Sequence, residues 1–148
     1  MKWAEPDEGR IYYVAANIRL ADEREVWLSD RISGPEAVID SWAASDICRC
    51  IETDDGEPVG VTGVCGDRIW LLGTEGLTAT RRRRLQLCTE GRGWVEHCLE
   101  RVGGPIWNDV YASNRDSIRW LEHLGFTVEP PRPMGMSAAL FCRFWRKP

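Results

Sequence analysis

Four consecutive cations, Arg81-Arg82-Arg83-Arg84, follow Thr80 at the start of what reads as a long helix. Unpaired N–H groups at a helix N-terminus attract anions, phosphate above all. Cations in the same place are unfavourable by about 0.3–1 kcal/mol each when exposed, so such a run needs a counter-anion or full solvation. Arginine's planar fork also matches phosphate oxygens two at a time. Three readings stay open: Arg81, Arg82 and Arg84 grip the phosphates of a ligand, the run is a solvated basic turn paired with acids such as Glu75, or it meets an anionic macromolecule.

Other reactive groups are sparse. His97 and His123 fall inside helical stretches and read as surface or packing histidines. Ser113 and Ser117 flank Asn114, where a hydroxyl suits a thiol or a phosphate as well as a helix cap. The six cysteines (Cys48, Cys50, Cys65, Cys88, Cys98 and Cys142) form no CxxC pair and show no metal-ligand spacing. Cys48 and Cys50 share one face of a strand, which suits packing; free core thiols in a reducing cytoplasm, and no metal, are the expectation. The sequence holds no nucleophile triad, Walker loop or zinc pattern.

These side chains must be held by a framework that the pattern of the chain outlines. Residues 11–14 have strand chemistry, and residues 15–28, with Ile18, Ala21, Arg24, Glu25 and Leu28, favour a helix. Ser33-Gly34-Pro35-Glu36 starts another helix, with Pro in its first turn, that runs through Trp42. Residues 47–53 and 59–65 read as a hairpin about Asp55-Gly56. A third strand, 68–72, is almost continuously apolar and therefore central. Residues 73–79 are a loop.

From about Thr80 to Arg101 the period is helical, with Leu85, Cys88, Val95, Cys98, Leu99 and Val102 mostly on one side. Gly91 and Gly93 interrupt it at about 1 kcal/mol each, so either the helix approaches something closely there or it begins near Glu90. Ile106, Val110 and Tyr111 mark a strand, Asn114 a cap, and Ile118, Leu121 and Leu124 one face of a short helix that Gly125 ends before Phe126. A Pro-rich loop, 129–135, precedes a last strand at 139–145, with Phe141 and Trp145 placed to reach an outer face and pair with another copy. The third strand, the long helix and the strand at Ile106 make a βαβ unit, which demands a right-handed crossover and a parallel pair. The helix N-terminus then points to the carboxyl ends of those strands.

The composition sets wider bounds. At 148 residues the chain suits one domain, 1–148, with 43% hydrophobic and 28% charged residues as in a soluble globular protein. A net charge of -4 argues against non-specific nucleic-acid binding by the whole molecule. The start, MKWAEPDEGR, does not read as a signal peptide, and no stretch approaches the ~20 apolar residues of a membrane span. A cytoplasmic location is expected.

The stretch IWNDVYASNRDSIRWLEHLGF, with its strand, Asn114, helix and Leu124-Gly125-Phe126, resembles the last conserved motif of the Gcn5-related N-acetyltransferase (GNAT) superfamily. The order of elements is similar across nearly the whole chain. The resemblance implies a mixed α/β (α+β) fold: a mostly antiparallel sheet with one parallel strand pair, flanked by helices. It also implies an amine acetyltransferase using acetyl-CoA, with the pyrophosphate at the long helix and the pantetheine arm between the parallel strands. On that reading Leu72, Gly73 and Thr74 supply backbone N–H groups to the acyl carbonyl, and Arg81, Arg82, Arg84, Asn114 and Ser117 contact the coenzyme A-type ligand. The chain departs from the family at two points. Leu121 stands where a Tyr would protonate the thiolate, so Tyr111 is the candidate acid and Glu75 the candidate base. The Gly-rich phosphate loop fits neither register, Arg84 and Gln86 or Gly91 and Gly93, without a misplaced residue.

A narrower resemblance rests on Trp70-Leu71-Leu72-Gly73-Thr74, Ile106-Trp107-Asn108 and Ile118-Arg119-Trp120-Leu121. These are similar to GNAT-like proteins of tailed phages and prophages, of the internal virion or head-assembly type. That resemblance implies a non-catalytic protein with virion partners and a virion-associated location, with no membrane or specific nucleic-acid partner.

Overall fold

The computed structural model describes all 148 residues, Met1–Pro148. Strand β1 (Lys2–Ala4) is followed by helices α1 (Glu8–Ala16), α2 (Leu20–Asp30) and α3 (Gly34–Ala44). Strands β2 (Ile47–Glu52), β3 (Pro58–Cys65) and β4 (Arg68–Gly73) lead through a 3-10 turn, Glu75–Thr78, to the long helix α4 (Arg81–Val102). Then come β5 (Ile106–Tyr111), α5 (Arg115–His123), β6 (Thr127–Val128), β7 (Arg132–Met134) and β8 (Ala139–Arg146). The strands form one sheet in the order β1-β2-β3-β4-β5-β8-β6, with β7 also on β8. Every pairing is antiparallel except β4 with β5, so the expected mixed sheet with one parallel pair is present.

Two expectations fail near the N-terminus. Residues 11–14 are helical, not a strand. Ile-Tyr-Tyr-Val has strand propensity, but Ile11 and Val14 are fully buried while Tyr12 is 50% exposed, which is helical spacing. Asp7 caps the helix by accepting the Arg10 N–H at 2.8 Å. The strand that leads the chain is β1, which pairs with β2. The helix expected over 15–28 is broken at Asn17–Arg19, because Ile18 bridges Thr74 and the Arg19 N–H donates to the Gly73 carbonyl at 2.9 Å. A tertiary contact thus overrides local propensity.

The C-terminal strand is the third correction. β8 is not an open edge: β5 flanks one side and β6 and β7 the other. Phe141 is buried at 1% exposure, so it does not present an outer face to a second copy. The Pro-rich loop contains β7, which reaches β8 through Pro133 and Met134.

The sheet is covered on both faces. Val95, Cys98 and Leu99 of α4 and Leu121 of α5 pack with Ile106, Val110, Cys142 and Phe144. Phe126 meets Phe144 edge-on at 5.1 Å. On the other face Ile11, Val14, Ala37 and Val38 pack on Cys48, Cys50, Val61 and Leu72. α4 runs unbroken through both glycines. A Cβ on Gly91 would lie 3.4 Å from Leu124, so the close approach is to α5's end; Gly93 has open space around it. The six cysteines are free thiols, and burial pushes Cys48 and Cys98 up to about 12 and Cys50 up to about 11. No helix is long and apolar enough to cross a membrane.

Candidate functional site

The parallel pair begins and then gives out. Arg68 of β4 stands opposite Trp107 of β5, and this is its one registered pair. The Trp107 N–H donates to the Asp67 carbonyl at 3.1 Å, and the Asn108 side-chain amide, not a backbone amide, donates to the Ile69 carbonyl at 2.6 Å. Past these contacts the strands part toward their carboxyl ends. Trp70 and Trp107 sit on neighbouring strands, and the groove between them is lined by Leu72, Glu75, Arg84, Cys88, Asn114 and Ser117, among others. It is part of a larger cavity system of about 1240 Å³ that also reaches Trp3, Ile51 and Ser41.

Diverging strands leave backbone donors that need partners. Helix α2 supplies them. Asp22 Oδ2 accepts the Gly73 N–H of β4 at 2.8 Å, and Glu25 Oε1 accepts the Tyr111 N–H of β5 at 2.6 Å. Arg19 Nε lies 2.8 Å from the same Asp22 oxygen. Burial pushes the Glu25 carboxyl up to about 7; the Tyr111 N–H and Arg19 oppose that rise and the Asp22 charge adds to it. Burial likewise raises Asp22, against the pull of Arg19 and the Gly73 N–H, with Glu75 adding to the rise. Both side chains line the groove.

The floor on the α2 side is a stack of side chains. The Trp107 ring meets two guanidinium groups, Arg68 at 4.8 Å and Arg143 at 4.3 Å from its centroid. Arg143 also meets Asp109 at 3.2 Å.

The residues that the sequence singles out are spread around this groove. Leu72 and Thr74 are buried. The Gly73 N–H goes to Asp22, and the Thr74 N–H to the Val59 carbonyl at 2.9 Å. Glu75 is exposed at the groove's lip. Tyr111 turns its ring onto Phe141, 5.5 Å away, and offers the site its N–H. Asn114 caps α5, its side chain accepting the Ser117 N–H at 3.4 Å. Leu121 is core, at 6% exposure.

The arginine run sits at the α4 N-terminus, where the Thr80 hydroxyl takes the Arg83 N–H at 3.1 Å. Arg82 pairs with Asp54 at 3.2 Å, an acid of the β2–β3 turn and not Glu75. Arg83 donates to the Gly76 carbonyl and Arg84 to the Thr78 carbonyl, each at 2.9 Å. Arg81 is exposed, and Arg84 is the member of the run that lines the groove. No group of three or more His, Cys, Asp or Glu side chains is gathered to hold a metal.

Sequence reasoning missed Asp22 and Glu25. Their i, i+3 spacing puts both on one helix face, which is a legible signal. Which face turns inward depends on the break at Asn17–Arg19, and no local pattern announces that break.

Comparison with known proteins places this geometry. Residues 49–129 match the family model described as bacteriophage T7, probable scaffold protein Gp13. No curated protein matches the sequence. Among solved structures, a spermidine N-acetyltransferase SpeG chimera from Vibrio cholerae and hSSAT is 12% identical with a TM-score of 0.70, over 99% of this chain and 94% of that one. Ard1 from Thermoplasma volcanium is 17% identical with a TM-score of 0.67, over 99% and 96%. A Bacillus subtilis acetyltransferase solved in complex with CoA is 12% identical with a TM-score of 0.62, over 99% and 97%. The fold is therefore that of the GNAT superfamily.

Proposed function

We propose that this chain, which belongs to the family of the bacteriophage T7 probable scaffold protein Gp13, serves phage particle assembly as a binding protein on an acetyltransferase frame. The observation that carries this reading is the carboxyl pair of α2. Asp22 and Glu25 take the Gly73 and Tyr111 N–H groups, the donors that an acyl chain lying between the strands would need. Leu121 supplies no acid, and Arg82, Arg83 and Arg84 direct donors to Asp54 and to the carbonyls of Gly76 and Thr78, which supports the same reading. Residues 1–148 act as one domain. The partners are then other proteins of the particle, and the location is the virion or its precursor.

One feature favours a second reading, a coenzyme A-type ligand. The groove is lined by Thr78 of the 3-10 turn and by Arg84 in the first turn of α4. On this reading acetyl-CoA lies against Leu72, Gly73, Thr74, Asn114 and Ser117, with phosphates at Arg81, Arg82 and Arg84. Tyr111 protonates the thiolate and Glu75 takes the proton of the amine.

Calorimetric titration with acetyl-CoA separates the two. The assembly reading expects no heat at millimolar ligand. Micromolar binding, together with acetyl transfer to a panel of amines, would replace it with the second.

A further inference from the structure

Asp22 and Glu25 stand three residues apart on α2, and each reaches a different strand. Where β4 and β5 lose their ladder, this pair of carboxyl groups ties Gly73 on one side to Tyr111 on the other. Both carboxyl groups are titratable and both line one groove, Asp22 buried at 3% exposure and Glu25 half-buried. We propose that α2 is a latch across the groove, held while the Asp22–Glu25 pair keeps a proton and loosened when both carboxyls are ionised. The proposal rests on the assembly reading above, in which Asp22 and Glu25 occupy the strand donors, and makes that occupancy conditional.

A protonated Glu25 still has an oxygen that accepts the Tyr111 N–H, so the proton does not break the tie. An ionised Glu25 is a second anion beside the buried Asp22, whose charge opposes that ionisation. Arg19 is already 2.8 Å from Asp22 and serves that carboxylate. Glu75, from the turn after β4, adds negative charge at Asp22. From β5, Tyr111 offers its N–H, while Asp109 is matched by Arg143 at 3.2 Å and Arg132 at 3.8 Å. Arg19 is thus the cation that acts on Glu25, and it is shared with Asp22.

In the open state the carboxyls are hydrated and titrate in their ordinary range. For Glu25 that is near 4.5, against about 7 when latched. The open state therefore binds fewer protons in that interval, and rising pH favours it. Opening frees the Gly73 and Tyr111 N–H groups together, because one helix carries both carboxyls. The groove then offers two parallel-strand donors to the carbonyls of an incoming ligand or peptide.

Amide hydrogen exchange on the whole protein tests this, with rates corrected for intrinsic exchange between about pH 5.5 and 8.5. The Gly73 and Tyr111 amides should lose about tenfold or more of their protection above about pH 7. Val95 and Leu99, in the core of α4, should keep theirs. Glu25→Gln should give Gly73 and Tyr111 protection that does not change with pH; if that variant fails to fold, Asp22→Asn, which removes a charge that raises Glu25, should move the loss to lower pH. Constant protection in the unaltered protein, or the same loss in Glu25→Gln, would overturn the latch. Because exchange is read without ligand, the latch and the assembly reading fail separately. Acetyl-CoA heat that appears only above pH 7 supports the latch and overturns the assembly reading.

Discussion

The two flanks of β5 are built differently. Toward β8 it has six registered residue pairs, from Ile106↔Arg146 to Tyr111↔Phe141, and the backbone itself closes the ladder. Toward β4 it has one, after which the Asn108 side chain donates as a backbone amide would, and Asp22 and Glu25 accept as backbone carbonyls would. The β8 flank is fixed by geometry that pH does not touch. The β4 flank is fixed by groups that titrate, so it is the flank that can change shape and the one where a ligand or partner can enter.

Damage to the core shared by β5 and β8 should have the largest effect. Phe144→Ala removes the edge-on partner of Phe126 and leaves a cavity beside Val110; a loss of about 3–5 kcal/mol is expected in urea unfolding. A loss near zero would mean that this flank is not the rigid one. At the β4 flank the effect should reverse sign. Glu25 has a folded-state pKa raised from 4.5 to about 7, so its ionisation is disfavoured by folding. Its contribution is fully present at acid pH and is lost as pH climbs through that interval. At pH 8, Glu25→Gln should therefore stabilise the protein, by up to about 3 kcal/mol, with no gain at pH 4. A variant that is destabilised equally at both pH values would show that Glu25 acts as a plain hydrogen-bond acceptor.

Smaller effects sharpen the contrast at the groove's rim. Asn114→Ala takes the cap from α5 and should cost about 0.5–1 kcal/mol, seen as a lower Tm. Arg82→Ala breaks an exposed pair with Asp54 and should move stability by less than about 0.5 kcal/mol, an effect that salt erases. A larger change there would give the arginine run a structural weight that its exposure does not suggest.

The same contrast explains what could be read from the chain alone. The β2–β3–β4 hairpins, α4 and the β5–α5 corner follow from local period, turn residues and caps: Gly56, Gly103 and Gly125 take positive φ where the turns need it, and Thr80 and Asn114 accept from the amides expected of caps. Ile11–Val14 misled because strand-prone residues can lie on a helix when Asp7 caps it and alternate turns find a core. The acids of the groove were hidden for a different reason. Asp22 and Glu25 are unremarkable on a polar helix with no clear apolar face; only the long-range contacts of Ile18 and Arg19 with Thr74 and Gly73 turn them toward the parted strands. The arginine run was legible as a helix start, but its main acidic partner, Asp54, belongs to a turn 28 residues earlier.

The sheet tapers at both margins: β1 has three residues and β6 has two, while the long strands β3 and β8 are shielded on either side. A long bare margin would invite neighbouring copies to add on, strand by strand, into fibres. With such short margins this chain offers little template for that growth, even where many copies are crowded together.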